Sequence, residues 1–192
     1  MRDLLRRRAT KVVLVAALVL LAGGLWAFQP WKIFTRSTVD EALPAGFAAT
    51  TSQQAPATTE PMAPASTEPM APTSMAPPAG PKVLAEGAFR SHEHPTAGTA
   101  RVLEQNGTRL LRLEGFSTSD GPDVHVWLSD AKAGAPEGAF DDGRYVKLGK
   151  LKATDGNQNY EIPAGTDLAG LSSVVIWCDR FNVAFGAAPL PL

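Results

Sequence analysis

A single cysteine, Cys178, occurs in the 192 residues. No intramolecular disulfide can form, so stability has to come from a packed core. Several catalytic patterns are also missing. There is no Gly-x-Ser-x-Gly elbow, no His-Glu-x-x-His pair, no phosphate-binding Gly-rich loop and no Cys-x-x-Cys-His haem-attachment motif. No pair of catalytic carboxylates stands out, so a hydrolase is discounted and an enzyme is disfavoured. Charge of one sign is scarce too: 18 Lys and Arg face 19 Asp and Glu. From Lys82 to Leu192 the counts are 11 basic and 14 acidic, a net charge of −3. A mildly acidic domain does not draw in phosphate backbones, which argues against nucleic acid as a partner. Beyond Lys82 no window sustains a 3.6-residue apolar period over ten residues, which argues against a helical domain.

What is present falls into three stretches, residues 1–36, 37–81 and 82–192. The first holds seven of the 18 basic residues. Arg6, Arg7, Arg8 and Lys11 precede an uncharged run from Val12 to Phe28, 17 residues long. At 1.5 Å per residue that run spans roughly 25 Å, enough for a thin or untilted crossing. Trp26 and Trp31 sit where indoles favour the headgroup region, and the positive cluster directs the downstream chain outwards. The expectation is a cytoplasmic basic tip and one transmembrane anchor over residues 1–36, with the C-terminal part extracytoplasmic. The short arginine-led anchor fits a bacterial exporter. A cleaved signal peptide ending near Ala22-Gly23-Gly24 is the competing reading, and it exports the domain equally.

Residues 37–81 read as a Pro/Ala/Thr-rich linker. An eight-residue unit, Thr-Glu-Pro-Met-Ala-Pro followed by Ala-Ser or Thr-Ser, repeats from Thr59 and from Thr67. Proline-rich sequence with little apolar area does not offset its ordering entropy, so a disordered, extended spacer is expected. Met62, Met70 and Met75 are soft donors, but repeat drift explains them as well. Thr35 to Pro44 is polar and is compatible with either order or disorder.

From Lys82 onward short alternating runs are separated by turn signals. Strands are predicted over 83–89, 99–104, 109–114, 124–128, 145–151, 159–162, 174–178 and 182–185. Asn106-Gly107 marks a hairpin. Residues 130–143 read as a long surface loop. The fold expected is all-β, an antiparallel sandwich of about eight strands.

Few residues here carry chemistry. His92 and His94 lie two apart, so on an extended segment both rings would face one side and suit a metal, with Cys178 or His125 as third ligand. Cys178 ends the most apolar run of the domain. It is either a small buried hydrophobe or a redox residue. Alternation places Cys178 with Val174 and Ile176, and Trp177 with Val175 and Asp179. Asp123 caps a turn or orients a histidine.

Gly87-x-Phe89, His94-x-Thr96-x-Gly98, Gly121-Pro122-Asp123-Val124, Leu148-Gly149-x-Leu151-Lys152, the run Gly156 to Pro163, Val175-Ile176-Trp177-Cys178-x-x-Phe181 and Phe185-Gly186-x-Ala188-x-Leu190 are found together. Over about residues 83–190 this set resembles the DM-thirteen domain, an electron-transfer family grouped with DOMON-type β-sandwiches. The resemblance implies a sandwich with a redox role centred on the characteristic cysteine, here Cys178, and it includes His94. DOMON relatives bind haem or sugar; the resemblance names no cofactor, so a metal or a haem stays open. The function expected is a membrane-anchored redox module with a redox or surface protein partner. The rival is a non-enzymatic ligand- or protein-binding sandwich in which Cys178 is a core residue.

Overall fold

A computed structural model describes residues 2–29, 35–47, 80–136 and 138–192. The chain folds into a helix, α1 (Arg2–Phe28), and a two-sheet all-β unit. The strands are β1 (Thr38–Asp40), β2 (Lys82–Ala88), β3 (Arg90–Ser91), β4 (Ala97–Gln105), β5 (Thr108–Ser117), β6 (Val124–Ser129), β7 (Tyr145–Lys150), β8 (Asp155–Ile162), β9 (Ser173–Cys178) and β10 (Val183–Pro189). A one-turn helix, α2 (Ala139–Asp142), lies between β6 and β7. One sheet has the order β1-β8-β5-β4-β2 and the other β3-β10-β9-β6-β7.

Alternation decides what each strand buries. Leu111 and Leu113 of β5, Ala100 and Val102 of β4, and Tyr160 and Ile162 of β8 point inward from the first sheet. Val124, Val126 and Leu128 of β6 meet them from the second sheet, with Val174, Ile176 and Cys178 of β9 and Phe185 of β10. Complete burial of a Leu or Ile side chain stabilises by about 1.5–3 kcal/mol, so this layer carries the fold without covalent staples. Gly87 marks where β2 closes on β10: a Cβ there would meet the Pro189 carbonyl at 2.0 Å.

All eight predicted strands of the domain are found, with ends shifted by a few residues. Two more, β1 and β3, bring the total to ten among the described residues. The sheets are antiparallel except at one edge, where β1 runs parallel to β8 with Val39 opposite Gly156. The loop at 130–143 contains α2, whose Phe140 is fully buried against Trp127 and Trp177.

Where the linker begins differs from the sequence reading. Residues 35–47 form a strap across the outer face of the first sheet. Arg36 pairs with Asp155 and donates to Ser117 at 2.7 Å. Lys152 Nζ donates to Glu41 Oε1 at 2.8 Å, and the Asn159 amide donates to Glu41 Oε2 at 2.7 Å. Phe47 is buried on Leu103 and Leu110. Gly156 makes room for the strap, since a Cβ there would sit 2.0 Å from the Val39 carbonyl and its φ is +101°. Composition carries no sign of the strap, because most of its contacts are ion pairs and backbone bonds, which leave no hydrophobic period. The Pro/Ala/Thr repeats, residues 48–79, lie outside the described residues. Both of their flanks attach to the same sheet: Phe47 packs on Leu103, and Val83 pairs with Leu103 across β2 and β4.

The expected anchor falls on α1. Among the described residues no helix is long and apolar enough to cross a membrane.

A chain cut by a site-specific protease within 48–79 is expected to stay in one piece under native conditions, because the strap holds residues 1–47 to the sandwich. Co-elution in size-exclusion chromatography checks this. Gly156→Val is expected to release the N-terminal fragment after the cut. The strap is also acid-sensitive. The hydrogen bond from Arg36, with its charge, pulls the Asp155 carboxyl from 3.8 down to about 2. Ionised Asp155 therefore supports the docked strap fully above about pH 4, and that support fades as pH falls towards 2. Fragment release from the cut chain should rise over that window.

Candidate functional site

The β6–β9 pairing builds the region of interest. Val124 faces Cys178, His125 faces Trp177, and Trp127 faces Val175. Since successive side chains alternate, the inner row of these two strands is apolar and the outer row is aromatic and polar.

Cys178 lies in the inner row. It is fully buried among Val124, Ile176, Phe185 and the rest of the inter-sheet core. Trp177, its neighbour, points the opposite way. It is 1% exposed and stacks on Trp127, with ring centroids 5.0 Å apart. Trp127 in turn stacks on Tyr145 at 4.4 Å, the ring planes nearly parallel at 10°. Tyr145 is 39% exposed, so the three rings lead from the residue before Cys178, on the opposite face of β9, to the surface. Lys147 Nζ lies over the Trp127 ring, 4.6 Å from its centroid. The Trp127 indole N–H is buried with no acceptor among the described residues, an uncompensated donor of the kind that costs about 1–3 kcal/mol.

At one end of this layer sits a polar cluster. His125 Nε2 lies 3.0 Å from Asp123 Oδ1 and 3.5 Å from Asp179 Oδ2. Lys147 Nζ pairs with Asp179 Oδ2 at 3.0 Å, and Lys150 Nζ with Asp123 Oδ1 at 3.2 Å. The Asp179 amide donates to the Asp123 carbonyl at 3.0 Å, which ties the ends of β6 and β9 together. Burial pushes the Asp123 carboxyl up, but hydrogen bonds from His125 and Lys150 outweigh it and hold the group below its ordinary range. A small polar pocket of about 260 Å³, lined by Asp123, Asp120, Lys150 and Ser37, opens beside it.

The other two histidines are elsewhere. His92 Nε2 is 2.8 Å from the Ala133 carbonyl, and its ring meets Phe140 edge-on at 5.3 Å. The His94 ring packs on Phe185, 4.0 Å between centroids. Phe140 belongs to the outer layer and Phe185 to the inter-sheet core, so the rings do not share a side. The segment bends here instead of running extended: the amides of His92 and His94 both donate to the Phe185 carbonyl. Burial pushes the His94 imidazole below its ordinary range. Among the described residues one group of three His, Cys, Asp or Glu brings ligand atoms within 4.8 Å, namely Asp123, His125 and Asp179. Cys178, His92 and His94 are not in it.

Sequence reasoning misses Asp179, Trp127, Tyr145, Lys147 and Lys150 as site residues. Alternation already places Asp179 on the Trp177 face. The turn residues 121–123 and the strand β6 carry no cue that Asp123 lies across from it.

A cleft of about 910 Å³ runs along the 130–143 segment, walled by Ala133, Ala135, Ala139 and Pro189 and rimmed by Arg90 and Asp130. No described His, Cys, Met or Tyr lines it, so it offers no axial ligand to a haem iron.

The fold and site define an all-β sandwich with a buried thiol on one face of its central strand and an aromatic layer on the other. The family model for Electron transfer DM13 matches residues 88–190, more than half of the chain and nearly all of the sandwich. The chain belongs to that family. No curated protein and no solved structure matches it.

The Cys178 thiol is expected to react with a thiol reagent only through unfolding, at least about a thousandfold more slowly in the native chain than in denaturant. Cys178→Ser is expected to destabilise by about 1–3 kcal/mol through an unpaired hydroxyl in an apolar site, measured by denaturant melts. Cys178→Ala should cost less.

Proposed function

We propose that the chain is an extracytoplasmic electron-transfer module held at a membrane by α1, with Cys178 as its redox-active residue. The observation that carries this reading is the position of Cys178 next to Trp177, the first ring of a stack that reaches the surface at Tyr145. A buried thiol does not meet a partner's sulfur, so exchange by contact is closed to it. Cys178 is a fully reduced thiol, so it can only give up an electron: one electron leaves through the stacked rings to an oxidised redox protein docked over Tyr145, the S–H proton is lost to solvent, and a neutral thiyl radical remains until that partner returns the electron. Membership of an electron-transfer family supports the redox assignment.

Anchoring draws support from α1 itself. Val12, Val13, Leu14, Val15, Leu18 to Leu21, Leu25 and Trp26 are each 43–76% exposed and surround the helix on all sides. A helix apolar all round needs an apolar surround, and the described part of the sandwich does not provide it. With the strap docked, only residues 29–34 join α1 to the sandwich. Six residues reach at most about 20 Å. The module then works close to the membrane surface, and the repeats at 48–79 branch from it without setting its reach.

The rival reading is a ligand- or protein-binding sandwich with Cys178 as a core residue. Complete burial of the thiol and the apolar cleft beside 130–143 favour it. A mediated redox titration of the full chain in detergent separates the two. One-electron oxidation of the native chain that is lost in Cys178→Ala supports the electron-transfer reading. A wild-type chain that gives up no electron between strong reductant and strong oxidant leaves the binding module in its place.

A further inference from the structure

We propose that Asp123, His125 and Asp179 form a binding site for one divalent transition-metal ion at the outer edge of the β6–β9 pair. This does not depend on the redox role of Cys178. The inference rests on the donor set, its spacing and its rigidity. One imidazole nitrogen and two carboxylate oxygens suit ions of borderline hardness such as Zn²⁺ and Cu²⁺. Donors 2.0–2.2 Å from a four-coordinate metal stand about 3.3 Å from one another. The two edges at His125 Nε2 measure 3.0 and 3.5 Å, and all three donor atoms lie within 4.8 Å. Rotation of the Asp179 side chain, which is bound at its exposed end by Lys147, brings the third edge in towards that distance.

The frame is fixed by the sheet. His125 is held in β6 opposite Trp177, and the Asp179 amide is bonded to the Asp123 carbonyl. The ligand side chains are sheltered, His125 at 15% exposure and the two aspartates at 30% and 28%. A polar pocket opens on the Asp123 side of the cluster.

Lys147 and Lys150 now neutralise the two carboxylates, and an incoming ion has to displace them. Lys150 is 75% exposed and Lys147 46%. Exposed pairs of this kind contribute little, so their loss is a small opposing cost. The lysines act as competitors, and this sets the site apart from an ordinary surface ion network, in which their removal would leave uncompensated charge and no binding.

The test uses the full chain in detergent, titrated with Zn²⁺ by calorimetry and with Cu²⁺ by electron paramagnetic resonance. One ion per chain is expected, with nitrogen hyperfine coupling from a single imidazole for copper. His125→Asn is expected to lose that ion or weaken it at least tenfold, with the metal-free melting temperature unchanged. Lys150→Ala is expected to bind more tightly than wild type. Asp179→Asn serves as the second ligand variant should His125→Asn not fold. Unchanged stoichiometry and affinity in the ligand variants would overturn the proposal and assign any binding to His92, His94 or the methionine repeats. Failure of the wild-type chain to bind either ion at millimolar concentration would overturn it as well.

Discussion

The pairing of β6 with β9 is the constraint on which the rest depends. Its register, from Val124 opposite Cys178 to Ser129 opposite Ser173, is unbroken over six pairs. It assigns Val124, Val126, Leu128, Val174, Ile176 and Cys178 to the inter-sheet core, and His125, Trp127, Val175 and Trp177 to the outer layer. A slip of one residue would exchange the faces. The thiol would move to the surface, and Trp127 and Trp177 would be driven into a space filled by leucines and valines. That penalty is several buried side chains deep, so the separation of thiol from aromatic layer is as secure as the core itself. Function inherits this division: Cys178 has no contact chemistry available, while its neighbour in the chain opens onto a polar, partly accessible face.

A second constraint acts on the opposite sheet. The strap is held by ion pairs and backbone bonds at its start and by Phe47 at its end. Surface ion pairs contribute little singly. Here they come with a parallel strand pairing and a glycine at the crossing point, which give the strap a defined register. The strap converts what reads as a long spacer into a short connection to α1, followed by a repeat segment whose flanks return to adjacent strands of one sheet.

Much of the sandwich was legible because its strands alternate. The interleaved charges and leucines of 109–114 and the apolar run 174–178 mark two central strands directly, and Asn106-Gly107 marks the turn between β4 and β5. The faces of Cys178 and Trp177 followed from the same rule. Other features left no such trace. β1 and β3 are two or three residues long and gain their structure from the strands that they join, which composition does not record. The expectation that His92 and His94 face one side assumed extended backbone, and the turn bonded to the Phe185 carbonyl removes it. The Asp123–His125–Asp179 cluster needs the pairing of β6 with β9, which brings Asp179 to residues more than fifty positions earlier in the chain. Sequence supplied each residue, and only the register brings them together.

The central claim is that a thiol sealed in the core exchanges electrons at a distance. The direct measurement treats the native full chain with an excess of membrane-impermeant alkylating reagent, removes the reagent, and then follows electron exchange with a soluble one-electron mediator. Exchange is expected to survive this treatment unchanged and to disappear in Cys178→Ala. Exchange that persists in Cys178→Ala, or that the reagent abolishes in the native chain, would contradict the claim.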